Sequence, residues 1–215
     1  MTNVLKVMDK LSDYYNSSRK TTLNRMREDP DPFKILIGCL VSINIKDIVC
    51  EEILDELFSR VNCFQDVIDI DILELENILY KARYRKVKAK ILKSVSEEIL
   101  NKFNSKVPDN ESDLLSIKGI GPKTCNVVLN FAYGKDKIPV DSNTIRIVNR
   151  IGWINSDKYY EVERFLVDNL RGEKLRDANA IFMLHGRNTC VSVSPFCSNC
   201  PVKDECKRVG VERSR

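Results

Sequence analysis

The chain is 215 residues long, 43 % apolar and 31 % charged, which is enough to bury a core and excludes wholesale disorder. Lysine and arginine total 35 against 31 acidic residues, and the resulting net charge of +4 permits nucleic-acid binding without requiring it. The longest apolar run, Ile35 to Val41, is seven residues against the roughly 20 of a membrane span, so no membrane partner is expected.

In chain order, Met1 to Lys10 lacks the apolar centre of a secretory signal, and a cytoplasmic or nuclear location is expected. No glycine lies between Gly38 and Gly119 and no proline between Pro32 and Pro108, so this stretch lacks the punctuation of a sheet with tight turns. Its apolar residues recur at helical spacing: Ile48, Ile53, Leu54 and Leu57, then Ile72, Leu75, Ile78 and Leu79, then Val87, Ile91, Leu92 and Val95. These sets predict amphipathic helices on one core, and an all-α fold.

Charge is segregated along the same stretch. Cys63 to Tyr80 carries five acids and no base, whereas Tyr80 to Ser96 carries seven bases and no acid. The bases, Lys86 and Lys88 among them, are either a solvated helix face or an edge that tracks phosphate beside Tyr80 and Tyr84.

Leu114 to Lys123 then joins two helical patterns through Gly119, Ile120 and Gly121, where glycine permits unusual backbone angles and close approach. Pro122 suits the first position of the next helix, whose outward amides suit a phosphate. Lys123 falls in that helix's first turn, where the dipole and partial burial would disfavour its positive charge and favour a neutral amine nucleophile. Asp141, after Pro139-Val140, either caps the following helix or serves as a carboxylate that stabilises a cationic sugar.

Cysteine usage divides in two. Cys39, Cys50, Cys63 and Cys125 stand singly and are expected to be core thiols. Cys190, Cys197, Cys200 and Cys206 crowd into seventeen residues as C-x6-C-x2-C-x5-C. Four thiolates in one loop suit tetrahedral zinc or an iron–sulfur cluster, and the single C-x-x-C favours the cluster. His185, the only histidine, excludes histidine-based metal or triad chemistry and reads as a hydrogen-bonded helix-end residue.

Three segments resemble the endonuclease III-type DNA glycosylases of the helix-hairpin-helix superfamily: Ile117 to Thr124, Val140-Asp141-Ser142 through Asn149-Arg150, and Leu184-His185-Gly186-Arg187 leading into the cysteines. The similarity runs from about Pro32 to Cys206. It implies a two-lobed helical enzyme: a six-helix barrel over residues 25–135, and a discontinuous lobe of residues 1–24 and 136–215 holding a 4Fe–4S cluster. It implies a nucleoid-associated monomer acting on duplex DNA with a damaged or abasic site, which it grips through Gly119, Ile120 and Gly121. Lys123 would attack C1′ of a flipped nucleotide, form a Schiff base and nick the strand by β-elimination, assisted by Asp141. The activity implied is removal of oxidised pyrimidines. The alternatives are a thymine or uracil mismatch glycosylase and a non-catalytic DNA-binding module.

Three positions depart from the family pattern. Asn44 stands where a gap-filling Gln is usual, and Asn143 where endonuclease III has His in the substrate pocket. The loop Val191 to Phe196 has no cation where relatives place bases, which shifts the expected DNA contact toward residues 81–93.

Overall fold

The computed structural model describes residues 4–15, 25 and 30–215, and among these there are helices and loops but no strand. The chain divides into two compact units, Thr21–Lys135 and Met1–Lys20 with Asp136–Arg215.

The first unit is built around α2 (Pro32–Ser42). Asp31 caps it by accepting from the amides of Phe33 at 2.9 Å and Lys34 at 3.4 Å, and Pro32 occupies its first turn. Every residue from Ile35 to Val41 is buried, so the seven-residue apolar run is a central helix wrapped by others. Around it lie α3 (Asp47–Phe58), α4 (Phe64–Asp69), α5 (Ile72–Ile78), α6 (Arg85–Phe103), α7 (Glu111–Ser116) and α8 (Pro122–Phe131). α2 packs on α3, α6 and α8, with Leu36, Leu92, Val95 and Leu129 among the residues of one core. Truncating such a side chain to Ala costs about 2–5 kcal/mol.

The three predicted helices are present, with two corrections of phase. Ile48 and Val87 are about half exposed, while Cys50 and Lys88 take their places on the buried faces. The long interval without glycine is instead punctuated by Asn44, Tyr84, Asn104 and Ser105, all in the left-handed region. Asparagine tolerates that region best, and Tyr84 and Asn104 bracket α6.

The second unit contains α1 (Val4–Tyr15), α9 (Ser142–Ile151), α10 (Tyr159–Asn169) and α11 (Gly172–Asn188). α1 buries Val4, Val7, Met8, Leu11 and Tyr15, a stripe at helical spacing, and packs on α11. α9 and α11 meet over Ile147, Val148, Ile151 and Phe182. Lys6 and Lys10 both pair with Glu205, at 2.9 and 2.8 Å, and join α1 to the cysteine-rich segment. No helix among the described residues is long and apolar enough to cross a membrane.

Candidate active site and metal-binding loop

The hairpin forms as the sequence predicts. α7 ends at Ser116, Ile120 donates its amide to Ile117 O at 3.1 Å, and α8 begins at Pro122. Gly119 has φ +106°, and a Cβ there would lie 3.1 Å from Ile91 Cγ2, so both backbone angle and packing against α6 call for glycine. Ile120 corrects one expectation. Its amide closes the turn and its side chain is buried, so it builds the hairpin and does not supply a phosphate donor.

Lys123 lies in the first turn of α8 and is exposed, not partly buried as the sequence suggested. The next residue, Thr124, is buried and accepts from Cys39 Sγ of α2 at 3.7 Å, which anchors the start of α8 to the core. Burial pushes the Cys50 thiol up to about 12 and Cys39 in the same direction, as suits unreactive core thiols. Cys125 is also buried, but Cys63 is exposed and is not the core thiol expected.

Asn44 is exposed, with φ +59°, on the turn after α2. Lys88 is the second correction. It is 7 % exposed and donates its ammonium to Leu40 O at 3.3 Å, Val41 O at 2.9 Å and Ile43 O at 2.7 Å. These are carbonyls from the end of α2, where a helix leaves acceptors unsatisfied and a cation meets the negative pole. Lys88 therefore holds the Asn44 turn from inside and does not face phosphate. Lys93 binds Ile68 O and Ile70 O in a similar way, at 2.6 and 2.5 Å, and Lys81 pairs with Glu52 at 2.5 Å. Arg83, Arg85, Lys86 and Lys90 remain on the exposed face.

In the second unit, Asp141 is the N-cap of α9. Its Oδ1 accepts from the Thr144 amide at 2.9 Å and from the Thr144 hydroxyl at 3.1 Å. Asn143 donates Nδ2 toward Asp141 Oδ2 at 3.4 Å and accepts at Oδ1 from Arg146 Nη2 at 2.9 Å. That second bond fixes which way the amide faces: nitrogen toward the carboxylate, oxygen toward the guanidinium. Arg146 also donates to Gly186 O at 2.9 Å and to Cys190 O at 3.0 Å. Both readings of Asp141 are thus compatible, because one oxygen caps the helix while the other faces Asn143.

Cys190, Cys197, Cys200 and Cys206 line a single pocket with Ile147, Ile151 and Val202. Nitrogen donors surround the sulfurs: Arg150 Nη1 is 3.5 Å from Cys190 Sγ, and the Arg208 amide is 3.4 Å from Cys206 Sγ. His185 is buried, with Nδ1 3.1 Å from the Tyr15 hydroxyl and Nε2 3.8 Å from Cys200 Sγ. Burial, with a contribution from Arg146, holds His185 down to about 4, so the ring is neutral and structural as the sequence suggested. Among the described residues no three candidate ligands close on one metal ion. Four cysteine sulfurs around one pocket are a donor set that fits a thiolate-bound metal centre.

A model of the HhH-GPD superfamily base excision DNA repair proteins matches residues 37–171, the span that holds the hairpin, Lys123, Asp141 and Asn143. The chain belongs to this superfamily. Among HhH-GPD proteins it is 34 % identical over 177 residues to endonuclease III of Buchnera aphidicola subsp. Baizongia pistaciae, covering 81 % of each. Its structure is similar to that of a trapped endonuclease III–DNA covalent intermediate, an estranged-adenine complex. The TM-score is 0.82 and the identity 25 %, over 95 % of this chain and 94 % of the other. It shares its fold with a thermostable thymine-DNA glycosylase as well, at a TM-score of 0.83 and 24 % identity over 95 % of each chain. The all-α, endonuclease III-type expectation holds.

The sequence places Arg146 and Arg150 in a family-like segment but gives them no role; their guanidinium groups tie α9 to the cysteine loop of this HhH-GPD chain. Spacing carried a signal. Arg146 and Arg150 stand four apart on α9 and so share one face of it.

Proposed function

We propose that this HhH-GPD protein is a base excision repair DNA glycosylase with AP lyase activity, which removes oxidised pyrimidines from duplex DNA. The observation that carries the reading is an exposed Lys123 in the first turn of α8, directly behind a glycine hairpin, in a chain whose relatives are endonucleases III. The damaged nucleotide is turned out of the stack to expose its sugar. Lys123 Nζ bonds to C1′ as the glycosidic bond breaks and its electron pair leaves with the base. Release of the ring oxygen from C1′, with loss of a proton from nitrogen, gives the Schiff base. Loss of a C2′ proton then expels the 3′ phosphate with the C3′–O electron pair, which nicks the strand.

Asp141 supplies the carboxylate that offsets positive charge on the sugar, and Asn143 orients it. Gly119 and Gly121 let the hairpin backbone approach a phosphate, and Asn44 fills the gap left in the helix. Cys190, Cys197, Cys200 and Cys206 are the ligands of a 4Fe–4S cluster, which supplies a structural cross-link and no bond-breaking chemistry.

Borohydride trapping on a duplex with one abasic site tests the assignment. A covalent adduct is expected with the intact protein and none with Lys123→Ala; equal adducts from both would sink it. A panel of duplexes with single lesions then sets oxidised pyrimidines against mismatched thymine or uracil.

A further inference from the structure

His185 lies in the last turn of α11, where the chain runs into the cysteine segment, and both its backbone and its ring engage that segment. Its carbonyl accepts from the amides of Thr189 at 2.9 Å and Cys190 at 2.7 Å. Its ring is buried between two groups: Nδ1 lies 3.1 Å from the Tyr15 hydroxyl, and Nε2 lies 3.8 Å from Cys200 Sγ. The Tyr15 hydroxyl is in turn 2.9 Å from Thr189 Oγ1. Tyr15 is the last residue of α1, and its ring meets that of His185 edge-on with centroids 5.9 Å apart. A side chain from the N-terminal helix thus reaches a cysteine of the metal-binding pocket through one imidazole.

The protons available set the direction of these bonds. Tyr15 has one hydroxyl proton, and a neutral imidazole has one N–H. In one order Thr189 donates to Tyr15 and Tyr15 donates to Nδ1, which leaves the ring proton on Nε2. In the other every bond reverses, and Nε2 presents a bare lone pair to Cys200. A metal-bound cysteine is a thiolate, an acceptor without a proton. The second order therefore sets acceptor against acceptor at a buried position, where water does not relieve the mismatch. The first order gives every group a partner.

We propose that Tyr15 and His185 form the outer support of the metal centre: the Tyr15 hydroxyl fixes His185 as the Nε2–H tautomer, and that N–H donates to the Cys200 thiolate when metal is bound. The inference rests on the 4Fe–4S reading above. His185 is a positioning residue, neither a ligand nor a participant in bond breaking. A donor on a ligand sulfur draws charge from it and favours the reduced, more negative form, so it raises the reduction potential. A partner that orients a ligand also strengthens metal retention. Through Tyr15, α1 becomes part of this support, beside the pairs that Lys6 and Lys10 make with Glu205.

The test uses the full chain loaded with iron and sulfide. His185 is the only histidine, so isotopic labelling of imidazole nitrogen leaves one ring to read by NMR. The unaltered protein is expected to carry the ring proton on Nε2; a proton on Nδ1 overturns the proposal without any variant. The reduction potential, followed in the visible band during an electrochemical titration, is expected to fall in His185→Leu and to fall by less in Tyr15→Phe. Iron retention against a chelator should weaken by about 10- to 100-fold in His185→Leu. Potentials unchanged in both variants overturn the proposal. If His185→Leu holds no iron, Tyr15→Phe decides, because it keeps the buried ring; an unchanged potential there overturns the proposal equally. A colourless unaltered protein fails the cluster reading and this inference with it, whereas a wild-type cluster with unchanged potentials rejects only the inference.

Discussion

The ammonium of Lys88 lies 2.7 Å from the carbonyl oxygen of Ile43, the residue immediately before Asn44. A lysine that the sequence placed on either a solvated helix face or a DNA-facing edge is thus the internal support of the turn that presents Asn44. Burial pushes its amine below the usual lysine range, the direction expected for a charge taken from water. Lys88→Met removes the donor and leaves three carbonyls without it, at a cost of about 1–3 kcal/mol. Urea unfolding should show the unfolding free energy falling by that amount, while Lys86→Met, on the exposed face, stays within about 0.5 kcal/mol. Equal stability of the two variants would return Lys88 to the surface.

Capping and chemistry separate at Asp141. Asparagine caps helices as well as aspartate, so Asp141→Asn should leave stability within about 0.5 kcal/mol, whereas Asp141→Ala should cost about 0.5–2 kcal/mol. If the carboxylate acts on the sugar, Asp141→Asn should still lower single-turnover base release by about 100- to 10,000-fold. Normal turnover by Asp141→Asn would leave the residue as a cap alone.

Gly186 tests the orientation of Asn143. A Cβ at this position would stand 2.7 Å from Asn143 Oδ1 and 2.9 Å from Arg146 Nη2, so the side chain that faces Asp141 must move. Gly186→Ala is expected to cost about 1–3 kcal/mol in thermal unfolding and to slow base release by up to about 100-fold. Abasic-site binding by the hairpin unit should persist. Slowed release with normal stability would still support the positioning role; unchanged release would remove it.

The cluster has a spectroscopic test. The intact protein should absorb broadly at about 400 nm, as iron–sulfur thiolates do, and Cys200→Ser should lose that band together with stability of the unit that carries α9 and α11. Cys63→Ser, outside the pocket, should keep it. Stoichiometric zinc in a colourless preparation would replace the cluster with a mononuclear site.

Much of this molecule was legible in its sequence. Helical periodicity, the lack of glycine and proline over a long interval, and the absence of alternating strands specify an all-α chain, because a helix shows its buried face as a repeat along the sequence. The hairpin turn, the helix cap at Asp141 and the grouping of the four cysteines were legible because local residue types and spacing set them. The direction in which α6 faces was harder. Ala89, Leu92, Val95 and Ile99 set its buried face, and Lys88 falls on it four residues before Leu92, but a lysine offers no apolar signal and Val87 took its place. Ile48 misled for the same reason: one exposed apolar residue beside a true stripe shifts the phase by a fraction of a turn.

The opening balance of +4 is the clearest case of what each level decides. Composition determined how many cations there are, and the order of residues determined that seven lie between Lys81 and Lys93. Only tertiary structure assigned them. Lys88 and Lys93 turn inward because helix and loop ends leave carbonyls that need donors, and Lys81 is paired with Glu52. In the other direction, the cation-free loop acquires Arg150 and Arg215 from residues 42 and 21 positions away in the chain. Sequence fixes a charge to a position in the chain; which charges reach a partner depends on the packing that surrounds them.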